Sequence, residues 1–125
     1  MTREEFVKEY KSIVERALYF SNKGRREGLF VLDNEVIEEK YLQRDIFEFG
    51  MRLVIDGTDG ASIDKILSNI INIETDNDKK LLKTIQKEAV LGIQRGDNSR
   101  ILLMTLNSYV DVEVESTMRY FNTLH

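Results

Sequence analysis

The sequence predicts an all-α protein, a single compact bundle of five or six helices with residues 1–125 forming one domain. Three observations carry that reading. None of the 125 residues is proline, so nothing in the chain forces a helix to break. Apolar residues recur at spacings of three and four, which places them on one face of a helix. Residues that start and stop helices separate these stretches. A composition of 42% hydrophobic and 32% charged residues is globular, and a domain this size buries roughly two-thirds of its unfolded surface.

Thr2 and Glu5 have the capping-box spacing that opens a helix. Its stripe is Phe6, Tyr10, Ile13, Val14, Ala17, Leu18 and Phe20, and Gly24 is placed to end or bend it. Arg25 to Asp33 is read as a second, short helix ending near Asp33-Asn34. Ile37 to Asp56 forms a longer one, with Tyr41, Ile46, Phe49 and Leu53 on its buried side, Leu42 and Val54 beside them, and Gly57 after it. Thr58, Asp59 and Ser62 are candidate N-caps for a helix carrying Ile63, Ile66, Leu67, Ile70, Ile71 and Ile73.

Thr75 to Asp78 is a polar turn, expected to join its two flanking helices as a hairpin. The helix after it carries Leu81, Leu82, Ile85, Ala89, Val90 and Ile93 and closes at Gly96. Asp97-Asn98-Ser99 caps a further helix with Ile101, Leu102, Leu103, Leu106, Tyr109 and Val110. From Val110 to Glu115 apolar and charged residues alternate as in a strand, yet Val112, Met118 and Phe121 also fit a helix. A lone strand would lack a partner, which favours the helix. Ile13, Leu53, Leu67, Ile85, Ile93 and Leu106 are the expected core.

Composition excludes much chemistry. There is no cysteine, hence no disulfide, thiol nucleophile or cysteine zinc site. The only histidine is His125, which removes Ser-His-Asp catalysis and HExxH metal sites. Asp56-Gly57-Thr58-Asp59-Gly60 suggests a calcium loop, but Ala61 and Leu67 stand where its glycine and glutamate belong. Glu74, Asp76 and Asp78 read as a solvated turn, and Arg95-Gly96-Asp97 as a helix stop followed by a cap. Neither GxxxxGK[ST] nor GxGxxG occurs. The expectation is a non-enzymatic protein with no cofactor and no metal. A net charge of −4 argues against nucleic-acid binding. No apolar run approaches the ~20 residues of a membrane helix, and Met-Thr-Arg-Glu-Glu is not a signal peptide, so a cytoplasmic location is expected.

Lys23, Arg25 and Arg26 form the one local basic cluster. It is either a solvated helix end or a charge-pairing contact with an acidic partner.

Three ordered segments resemble motility protein A, the MotA family of flagellar stator subunits. Gly24-Arg25-Arg26-Glu27-Gly28-Leu29-Phe30-Val31-Leu32-Asp33 is similar to its "ARREGLLALE" segment. Phe49 to Asp59, with Arg52-Leu53-Val54-Ile55-Asp56-Gly57-Thr58-Asp59, resembles "xGxRLVVDGTD", and Ala89 to Arg100 resembles "EGILAIQxGxNPR" with Ser99 in place of the proline. Together they cover roughly residues 15–110. The family's membrane spans are missing: a charged amphipathic helix precedes the first segment, and Asp76-Asn77-Asp78-Lys79-Lys80 stands in place of the transmembrane hairpin. Ion conduction is therefore not implied, because a chain without spans cannot line an ion path.

The resemblance implies a stator-like cytoplasmic domain, at the cytoplasmic face of the flagellar motor. It would contact the rotor's switch-complex protein FliG, or another motor component, through charged residues. The family's key basic residue falls at Arg25 and its key acidic residue at Asp33, with Lys23 and Arg26 on the same expected face. The alternative is a structural, regulatory or self-associating protein, using Phe20, Phe30, Tyr120 or Phe121 where these prove exposed. An unrelated enzyme or ligand-binding bundle would need a deep pocket with convergent polar groups.

Overall fold

Thr2 opens the first helix as its spacing to Glu5 predicts: the Glu5 N–H donates to Thr2 Oγ1 at 3.1 Å, and the Thr2 N–H donates to Glu5 Oε1 at 3.0 Å. The structure is a computed structural model and describes residues 1–36 and 45–111. Among these are α1 (Arg3–Glu27), a 3-10 helix (Leu29–Glu35), α2 (Ile46–Ile55), α3 (Gly60–Ile71), α4 (Asn77–Arg95) and α5 (Ser99–Asn107), with no strand. The fold is all-α, as expected.

α1 buries the whole expected stripe from Phe6 to Phe20. It does not stop at Gly24. It runs on through Arg25 and Arg26, and the chain breaks at Gly28, whose φ of 91° suits glycine. Gly24 is instead a packing site. A Cβ there would lie 2.9 Å from Leu29 Cδ2 and 3.5 Å from Leu32 Cδ1, because the 3-10 helix folds back over the last turn of α1. The expected second helix over Arg25–Asp33 is thus corrected: its first half belongs to α1 and its second half is 3-10.

The expected long helix from Ile37 is also corrected. Asp45 has extended backbone and accepts from the Glu48 N–H at 3.0 Å, so α2 begins at Ile46. Tyr41 and Leu42 lie outside the described residues. The buried face of α2 is Ile46, Phe47, Gly50, Met51 and Val54, while Phe49 and Leu53 are only partly buried. Gly50 explains the rotation. A Cβ on it would meet Val90 Cγ2 at 2.8 Å and Leu67 Cδ1 at 3.1 Å, so the bare backbone lets α4 close onto that face.

Of the three candidate caps before α3, Asp59 is the one used, accepting from the Ser62 N–H at 3.0 Å and the Ser62 hydroxyl at 2.8 Å. The polar turn does make a hairpin: α3 and α4 pack together, and Lys87 Nζ reaches Asp64 Oδ1 at 2.8 Å and Ser68 Oγ at 3.1 Å. Asp76 caps α4, Gly96 ends it at φ 81°, and Asn98 caps α5. α5 stops at Asn107, so Tyr109 and Val110 fall in a turn beyond it. Val112, Met118 and Phe121 lie outside the described residues.

α4 occupies the middle of the bundle, packed against α1, α2, α3 and α5. Its consecutive residues Ala89, Val90, Leu91, Gly92 and Ile93 are all buried, because neighbours surround that part of the helix. The buried side chains form one continuous core. Of the expected core, Ile13, Leu67, Ile85, Ile93 and Leu106 are buried and Leu53 is not. Ile73 and Ile101, on the expected stripes, are exposed. No helix among the described residues is long and apolar enough to cross a membrane.

Candidate functional site

The four expected contact residues lie around the C-terminal end of α1 and the 3-10 helix. Arg25 and Arg26 occupy the last turn of α1 and are exposed. A cation there is favoured by the helix dipole, which accounts for their presence without any partner. No described carboxylate lies within ion-pairing distance of either.

Lys23 and Asp33 are engaged internally. Lys23 Nζ pairs with Glu35 Oε1 at 2.7 Å, and the Tyr19 hydroxyl donates to the same oxygen at 2.7 Å. The hydrogen bond from Lys23 holds the Glu35 carboxyl below its ordinary pKa, and the same bond raises that of Lys23. Asp33 Oδ1 accepts from Arg52 Nη1 at 2.6 Å. Arg52 Nη2 also donates to the Val36 carbonyl at 3.2 Å, and Asp56 stands 3.6 Å from Nη1. The Arg52 side chain is only 11% exposed and that of Asp33 is 47% exposed. The 3-10 helix is thus fastened on one side to α1 through Glu35 and on the other to α2 through Asp33.

The structure also joins the three segments that suggested a family. Arg52 of the second holds Asp33 of the first. Gly50 of the second seats Val90 of the third. Gln94 Nε2 of the third donates to the Thr58 carbonyl of the second at 2.9 Å. Each segment also carries one positive-φ glycine, Gly28, Gly57 or Gly96.

No family model, curated protein or solved structure matches this chain.

Chemistry elsewhere among the described residues is sparse. No group of described residues is arranged to hold a metal ion. A half-open cleft of about 230 Å³ lies by the start of α1, between Phe6, Leu81, Tyr109 and Val110, and the Arg3–Asp111 ion pair at 2.7 Å lines it. It is about 33 Å along α1 from Arg25, too far to belong to the same site. Arg95 closes on Asp97 at 2.9 Å within its own turn.

Phe20 is buried at 6% exposure, as its place on the α1 stripe predicts, which removes it as a contact aromatic. It packs edge-on against Phe47. Phe30 is exposed at 78%. Tyr120 and Phe121 lie outside the described residues. Sequence reasoning missed Arg52 and Glu35, the residues that hold the site's shape. Arg52 did leave a trace, as a lone charge within the apolar run Phe49–Ile55.

Proposed function

We propose that this chain is a non-enzymatic protein-interaction module, similar to the cytoplasmic domain of the MotA stator but without its membrane spans. It contacts the rotor switch protein FliG through the charged end that carries Lys23, Arg25, Arg26 and Asp33. One observation supports this above the others: the three segments that resemble the family, far apart in sequence, touch one another through Arg52–Asp33, Gly50–Val90 and Gln94–Thr58. Segments belonging to one shared fold would be expected to meet inside it in this way. The chemistry suits a contact that must form and release. Exposed charges steer the encounter, and each pair adds only about 0–1 kcal/mol. The proposed place of action is the cytoplasmic face of the motor, with the protein helping or competing with the stator.

Calorimetry against the C-terminal domain of FliG tests this reading. Binding should weaken as salt rises, since surface charge is screened beyond about 8 Å at physiological ionic strength. Arg25→Glu should weaken it by about five-fold or more. Asp33→Lys should weaken it as well, but that change also sets a cation beside Arg52, so a thermal melt must accompany it. Absence of binding by the folded wild-type chain overturns the proposal.

A further inference from the structure

Arg52 stands among three carboxylates. Its guanidinium holds Asp33 at 2.6 Å, and Asp56 is 3.6 Å from Nη1. The third is Glu48, one turn back on the same face of α2 and four residues before Arg52. Glu48 Oε2 is buried and has no hydrogen-bond partner among the described residues. A buried carboxylate oxygen without a donor is costly, and native structures rarely leave one so. The other cation near this end of α2, Arg16, is turned to Asp45 at 3.8 Å and to the Phe47 ring. A glutamate four residues before a cation is the favoured order for a pair along a helix.

We infer that Arg52 is a two-position switch. In the position seen, it fastens the 3-10 helix to α2 through Asp33 and the Val36 carbonyl. In the other, its guanidinium turns back and pairs with Glu48, and that fastening is released. Solvent balances the exchange. Asp33 is half-exposed, so water replaces the bond it loses, whereas the buried Glu48 Oε2 gains a donor that water does not supply. The released segment keeps two holds on α1, the Lys23–Glu35 pair and Leu32 against Gly24, and it can pivot at Gly28. The packing of α4 against the other α-helices is untouched by this movement. The switch decides whether Asp33 is bound internally or free. It goes beyond the rotor reading and does not depend on it.

The test compares the full chain as wild type, Glu48→Gln, Asp33→Asn and the double variant. Each change keeps the side chain's shape and removes a charge. In the wild-type background Glu48→Gln removes only the second position. Its denaturation midpoint should be unchanged or higher, and hydrogen exchange over Leu29–Val36 should slow. With Asp33→Asn the guanidinium moves to Glu48, so exchange over the same residues should quicken while α4 stays protected. In that background Glu48→Gln should shift the unfolding equilibrium towards the unfolded state by about three-fold or more. One substitution thus changes the sign of its effect with the state of Asp33. Equal effects of Glu48→Gln in both backgrounds overturn the inference, as does unaltered exchange over Leu29–Val36 in the single variant. Failure of the FliG titration would remove the rotor reading and leave this cycle unchanged.

Discussion

Gly50 and Glu74 show how much single residues decide here. Gly50→Ala should gain helix propensity yet destabilise the protein by about 1–2 kcal/mol net, because the new methyl meets Val90 and Leu67 inside a packed face. A denaturant titration of the variant measures this. An unchanged midpoint would mean that α2 and α4 can move apart freely. Glu74 accepts from Lys83 Nζ at 2.9 Å and from the N–H groups of Thr75 and Asp76. The bond from Lys83 is the main reason its pKa falls from 4.5 to about 2. Its contribution to stability is complete above about 4.5 and is lost as the pH falls through about 2. Wild type should therefore lose melting temperature faster than Glu74→Gln over that window, the two curves converging at its acid end. Parallel curves would show that the carboxylate adds nothing. Caps such as Thr2, Asp59 and Asn98 were legible because their chemistry spans only three residues. The Arg52–Asp33 pair was not, because 19 residues separate its members.

Among the elements, the 3-10 helix depends most on its fastenings. Arg52→Ala removes donors to Asp33 and to the Val36 carbonyl, and should cost about 1–3 kcal/mol. Hydrogen exchange should speed up first over Leu29–Val36, before α4 is affected. Uniform acceleration across the chain would mean that Arg52 supports the whole core instead. The sequence could not distinguish this segment from an α-helix, because an apolar run of four residues has no period. The rotation of α2 was hidden for a different reason. Ile46 and Val54 fit both the expected stripe and the observed one, and only a partner's approach at Gly50 selects between them. The charged end of α1 was legible as a local cluster. The exposure of Phe30 beside it was not, because one aromatic within Leu29–Leu32 looks the same whether it faces in or out.

At the scale of the molecule, α4 is the common support of the other α-helices. Ile85, fully buried at its centre, should cost about 2–5 kcal/mol when cut to alanine. Far-UV dichroism and tyrosine fluorescence should lose their signals together in that variant, since every other α-helix packs against α4. Separate transitions would divide the core into independent halves. The all-α class and the hairpin of α3 and α4 were legible because repeated spacing and a polar turn are local patterns. The central place of α4 was written only in the unbroken run Ala89–Ile93, whose meaning depends on what surrounds it. That placement also bears on synthesis. α1 leaves the ribosome with its apolar stripe complete, and its main support follows about 70 residues later, or ~3–14 s at ordinary elongation rates. For that interval the stripe from Phe6 to Phe20 has no lasting cover, so this chain should be a client of nascent-chain chaperones until α4 emerges.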